Sequence, residues 1–167
     1  MMKCWHPFSH YMSIAEVLIL LLHPLFSLII IFWMYKQYNH RKNRRELRGQ
    51  QAKDARESHE RVGETLYRSA LGVIAVGLIV NFSFGWVGGE GYSSVFPSAL
   101  HGWFGIVGIV VLTITVRKGR LVKKQRESGE KFTLELQRHG RASDVMVVLI
   151  VLHAFLGFIY LFQLLVK

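Results

Sequence analysis

Residues 145–166 read VMVVLIVLHAFLGFIYLFQLLV, an apolar run interrupted by little more than His153 and Gln163. An α-helix rises about 1.5 Å per residue, so about 20 such residues cross the roughly 30 Å of hydrocarbon in a bilayer. Moving outward along the chain, the same pattern recurs at Met12 to Tyr35, Leu66 to Val87 and Val95 to Val116. The hydrophobic half of the composition (51%) is gathered into these blocks, not spread at amphipathic spacing, and nothing resembling a soluble domain is left over. The first block lacks a basic leading region and a small-residue cleavage site and carries His23 and Pro24, so it reads as a retained helix and not a signal peptide. The expectation is one all-α domain over residues 1–167, an integral membrane bundle of four transmembrane helices.

Charge lies between the blocks. Of the 21 Lys and Arg, nine fall in Lys36 to Gly63 and nine in Arg117 to Asp144, leaving Lys3, Arg68 and Lys167. By the positive-inside rule both basic stretches face the cytoplasm or stroma, and the N-terminus, the Gly88 to Ser94 loop and the C-terminus face the other side. Topology and attraction to anionic membrane lipid account for the net charge of +10, with no call for nucleic acid. A single cysteine, Cys4, excludes an internal disulfide and a thiol relay.

Trp5, Phe8 and Tyr11 suit the membrane interface. Gln37 to Arg61 is rich in Arg, Lys, Glu and Gln, so much of it is expected to be helical and to run directly into the second span. The run Gly85-Trp86-Val87-Gly88-Gly89-Glu90-Gly91 is expected to turn, with Phe96-Pro97-Ser98 starting the third helix, proline in its first turn. Short loops of this kind make neighbouring helices antiparallel.

Eight histidines in so small a membrane protein need a cause, because a strongly polar group inside a bilayer is costly unless it faces a partner. His23, His101 and His153 lie within spans; His59 and His139 sit six or seven residues before the apolar runs of helices two and four; His6, His10 and His40 fall in surface segments, where solvation is expected. Neutral imidazole is a good axial ligand for haem iron, and two histidines from facing helices can hold it in a bundle core. Alternate helices are diagonal in a four-helix bundle. His23 can therefore pair with His101 in the outer half, and His59 with His139 at the cytoplasmic edge. Gly63, Gly102, Gly105 and Gly140 would admit a flat macrocycle, and Arg61, Arg68, Arg138 and Arg141 could pair its propionates. His153 is 14 residues from His139, on nearly the same helix face and about 21 Å away, and offers an alternative outer clamp with His23 or His101. Any one of these histidines alone reads better as a hydrogen bond to a neighbouring helix; it is four of them in two compatible pairs that favour ligation. Glu16, Asn81 and Gln163 read as interhelical bonds, Gly72, Gly77, Gly105 and Gly108 as close-packing surfaces, and Trp33, Trp86 and Trp103 as interface or haem contacts. There is no phosphate-binding glycine loop, thiolate metal set or nucleophile triad.

Taken together, the order of one histidine per successive helix, the segment Ser98-Ala99-Leu100-His101-Gly102-Trp103-Phe104-Gly105 and the arginine-flanked His139 resemble cytochrome b561, whose core binds two b-haems between four helices. The chain is similar in particular to the uncharacterised b561-like four-helix proteins of cyanobacteria and plastids, through His23-Pro24, the Arg56-Glu57-Ser58-His59 element, the proline-histidine start of the third span and the histidine before the fourth. The likeness covers nearly the whole chain from His23 onward. Cytochrome b561 usually has additional helices around its core, and its ascorbate site has no counterpart that can be placed here, so ascorbate is not expected.

The function this implies is transmembrane electron transfer by two haem b groups, each clamped by two histidines, in a carrier or oxidoreductase component in place of a stand-alone hydrolase or transferase. The redox partner would be a quinone, a small reductant or a membrane protein complex, in a bacterial plasma membrane or a thylakoid. Two rivals stand beside it: a haem-free or pigment-binding small subunit or assembly factor of a larger complex, a photosynthetic one among the options, and the haem-bearing membrane anchor of a dehydrogenase.

Overall fold

In lipid every backbone N–H and C=O must find its partner within the segment, so apolar runs of this length can satisfy themselves only as helices or closed barrels. The computed structural model describes residues 14–43, 46–89, 91–97 and 99–166. Over these the chain forms α1 (Ile14–Asn43), α2 (Gly49–Val87), α3 (Leu100–Glu127) and α4 (Thr133–Leu165). All four are long and apolar enough to cross a membrane. Large hydrophobic side chains such as Leu18, Phe32, Phe155 and Phe158 point outward, the reverse of a soluble bundle, whose helices turn only their apolar stripe inward. The chain is a multi-pass membrane protein built as a four-helix bundle. The expectations for Trp5, Phe8, Tyr11, Cys4, His6 and His10 lie outside the described residues.

The helices outrun the apolar blocks. α2 begins at Gly49, far ahead of Leu66, α1 runs on to Asn43, α3 to Glu127, and α4 starts at Thr133. The basic segments are therefore largely helical extensions of the spans. The start of the third helix differs from expectation: α3 opens at Leu100, not at Phe96. Gly91–Val95 instead makes a short 3-10 helix that folds back on the end of α2. Asn81 Nδ2 donates to the Ser94 carbonyl at 2.6 Å, and the buried Ser94 hydroxyl donates to the Gly91 carbonyl at 2.7 Å. Gly89 and Gly91, at φ +84° and +57°, supply the left-handed turns that this reversal requires. Pro97 braces α3 from outside its first turn, pressed so closely on Gly102 that a Cβ there would clash with the proline ring.

α3 packs most extensively on α4, and α1 on α2; the seams between α2 and α3 and between α1 and α4 are slighter. Among the described residues, no Cα atoms approach within 8 Å across the α1/α3 or α2/α4 diagonals. The middle of the bundle is filled by Ile30, Leu66, Ala70, Leu112 and Met146, at least one from each helix. On α4, Met146 lies seven residues, about 10 Å, from both His139 and His153, so this apolar plug separates two histidine levels. At the basic end, ion pairs tie the extensions together. Arg120 grips Glu64 through two bonds of 2.6 Å, Arg126 reaches Glu60 at 2.6 Å, and Lys118 on α3 meets the buried Glu135 of α4 at 2.9 Å.

Candidate functional site

Six histidines gather at the two levels. Toward the glycine turn, His23 of α1 faces His101 of α3 across the bundle, ring centres 6.0 Å apart and planes at 77°. His153 of α4 stacks on His101 at 4.0 Å and 26°, and one ring nitrogen of each of the three lies within 4.8 Å of the others. Toward the basic end, His59 of α2 faces His139 of α4 across the other diagonal, at 6.3 Å and 83°. His40 of α1 stacks on His59 at 4.3 Å and 17°. The two levels match when α1 is exchanged with α4 and α2 with α3: each has a near-perpendicular diagonal pair and a third imidazole stacked on one member.

Local sequence repeats the match. His23 and His139 are each followed four residues later by a serine, and Ser27 and Ser143 donate back to the His23 and His139 carbonyls at 2.8 and 2.9 Å. Their diagonal partners, His101 and His59, are each followed four residues later by glycine, Gly105 and Gly63. One ring nitrogen is committed in three of the imidazoles. His23 Nδ1 bonds the Val73 carbonyl at 3.1 Å, His101 Nδ1 the His153 carbonyl at 3.0 Å, and His139 Nδ1 the Thr115 carbonyl at 2.9 Å. A carbonyl can only accept, so Nδ1 carries the proton and Nε2 of the neutral ring keeps its lone pair. This is the arrangement metal-ligating histidines adopt, with the second nitrogen fixed by a backbone carbonyl. His153 Nδ1 is buried, with no hydrogen-bond acceptor in reach among the described residues.

The donor set fits axial ligation of iron. A metal–nitrogen bond of about 2.0 Å, with about 1.1 Å more from nitrogen to ring centre, would set two opposed imidazole centres about 6.2 Å apart. Space is the tighter constraint. A cavity of about 100 Å³ lies between all four helices at the basic-side level, lined by His59, His139, Gly63, Gln37, Ser143, Thr115 and apolar side chains including Met34 and Met146. Ligand pockets usually hold about 300–1,000 Å³, so this cavity is smaller than a macrocycle needs.

The structure brings His23 to His101 and His59 to His139, and it gathers His153 with the first pair. It does not bring the arginines to either pair. Arg61, Arg68 and Arg141 are exposed, Arg138 bonds Glu135 at 2.6 Å, and none of the four lines the cavity. Gly140 is not among the cavity-lining residues either, and Gly102 is occupied by Pro97. His40, read from sequence as a solvated surface residue, is half-buried on His59, because α1 continues as a helix past Tyr35 and carries it there. Gly77 and Gly105, read as general packing surfaces, are seats for individual imidazoles, whereas Gly72 faces open space and Gly108 has only an ordinary contact with Met146. Trp33 packs against the core, while Trp86 and Trp103 are half-exposed. Sequence reasoning missed Glu60, Glu64 and Glu135 as the partners of the basic residues. Their signal was available: acidic residues on segments otherwise rich in Lys and Arg. No family model, curated protein or solved structure matches this chain, so the chemistry of the site rests on its own geometry.

Proposed function

We propose that this protein is a di-haem b-type electron carrier of the membrane, with His23 and His101 holding one haem and His59 and His139 the other. The observation that carries the reading is the pair of diagonal imidazole couples at 6.0 and 6.3 Å, in which three of the four rings have Nδ1 spent on backbone carbonyls. When bound, the haems supply reversible one-electron chemistry, and ligation by two imidazoles leaves no open iron position, which favours electron carriage over oxygen chemistry. The chain's own residues do the rest. The carbonyls of Val73, His153 and Thr115 fix the tautomer and leave Nε2 of each ring its lone pair, Ile30, Leu66, Leu112 and Met146 exclude water between the levels, and the ion pairs at the basic end keep α2, α3 and α4 in register. Both basic stretches face the cytoplasm or stroma in this reading, by their charge. The host is a bacterial plasma membrane or thylakoid, and the partner is a quinone, small reductant or membrane complex reached from the basic side.

A second reading is favoured by the small cavity: a haem-free subunit of a larger complex, whose histidines serve only as interhelical bonds. The visible spectrum of the purified full-length protein after dithionite reduction separates the two. A b-type α-band with about two haems per chain is expected; its absence ends the electron-transfer reading and leaves the second.

A further inference from the structure

Each of four imidazoles lies in a notch cut into a neighbouring helix by a glycine. A Cβ on Gly77 of α2 would stand 2.8 Å from His23 Nδ1 and 2.9 Å from its Cε1; one on Gly157 of α4 would stand 2.6 and 2.8 Å from His101 Cε1 and Nδ1. At Gly119 of α3 the same atom would approach His139 Cε1 to 3.3 Å, and at Gly105 of α3 it would approach His153 Cε1 to 3.3 Å. Heavy atoms prefer about 3.5–4.0 Å, so at Gly77 and Gly157 no side chain fits unless the ring moves.

The notches coincide with the hydrogen bonds. His23 donates to Val73, four residues before Gly77; His101 donates to His153, four before Gly157; His139 donates to Thr115, four before Gly119. In a helix the carbonyl of residue i is bonded by the N–H of residue i+4. A side chain at i+4 lies over the turn N-terminal to it and so covers that carbonyl. Glycine at i+4 uncovers the second lone pair to a ring from the next helix. The two conditions are one device.

We propose that Gly77, Gly157 and Gly119 are positioning residues that set the axial imidazoles of His23, His101 and His139, each by exposing the carbonyl that fixes the ring's tautomer and plane. The proposal rests on the di-haem reading for its purpose but not for its geometry. Glycine-to-alanine changes inside a helix normally favour the helix, so loss of ligation on adding one methyl group cannot be put down to helix propensity.

The test uses the full-length protein in detergent with Gly77→Ala, Gly157→Ala and Gly119→Ala, and Gly72→Ala as the control, since its Cβ meets nothing within 4 Å. Gly77→Ala and Gly157→Ala should each lose the turn-side haem and keep the other, halving haem per chain. Gly119→Ala, the milder clash and the variant best placed to fold, should keep both haems and shift the midpoint potential and ferric electron paramagnetic resonance signal of the basic-side one alone. Gly72→Ala should match the parent. A readout free of haem is ¹⁵N NMR of histidine-labelled protein expressed without haem supply, which should show neutral Nδ1–H imidazoles in the parent, with one fewer in each notch variant. Notch variants that retain the parent's haem content, potentials and tautomers would overturn the proposal. If the parent shows no b-type band yet the tautomers change with each notch, the notches stand and the haem reading falls.

Discussion

The two histidine levels are built to the same plan and differ in what surrounds them. At the turn-side level three rings, His23, His101 and His153, close on one another, two of them seated where a glycine Cβ could not be tolerated. At the basic-side level His59 and His139 look onto a cavity with Ser143, Thr115, Gln37 and Gly63 in its wall, and the seat at Gly119 is looser. The lesson is a division of labour: a tightly preset centre deep in the apolar bundle, and a more yielding one beside the polar ends of the helices. In the electron-transfer reading the second is where a partner would exchange electrons.

His101→Ala should break the contrast most severely. Its ring faces His23, stacks on His153 and bonds α4, so in the proposed di-haem reading the variant should lose the turn-side haem entirely and keep the basic-side one, halving haem content in the pyridine haemochromogen assay. Retention of both haems would mean that another residue, His153 foremost, takes its place. His153→Leu sharpens the same point from the other side. If His153 only stacks, both haems stay and the turn-side midpoint potential alone moves; loss of that haem would make His153 the ligand in place of His23 or His101.

Next in size is a spectroscopic effect. Imidazole planes crossed at 77° and 83° should give both ferric centres a highly anisotropic low-spin electron paramagnetic resonance signal. A rhombic signal characteristic of parallel rings at either centre would show that ligation reorients that pair. The turn-side pair, held in the tighter seats, should show the narrower distribution of g-values.

Much of this plan was legible in the chain. Apolar runs of about 20 residues leave little alternative to four spans, and alternation of antiparallel helices already put His23 opposite His101 and His59 opposite His139. The helical extensions were legible in part, because segments rich in Arg, Glu and Gln favour helix. What stayed hidden depends on register between helices. Gly77 is a seat and Gly72 is not only because His23 arrives at the height of Val73, and no spacing within α2 announces that. His40 was misread because a polar segment looks solvated until the helix it belongs to is known to continue. The pairing of Glu64 with Arg120, 56 residues on, is of the same kind.

That pair gives the smallest expected effect and the cleanest limit to the comparison. Its side chains are 36% and 53% exposed, and surface ion pairs, even with two bonds, are worth about 0.2–1 kcal/mol. Glu64→Gln should therefore lower thermal stability in detergent slightly, less so as salt is raised, since screening already weakens the parent's pair. Neither haem's spectrum nor its potential should change if the basic-side centre is held by His59, His139 and the Thr115 carbonyl alone. A shift in the basic-side potential, with the turn-side one unmoved, would mean that the ion pairs beyond the cavity help to hold that centre, and that its looser packing is compensated from the rim.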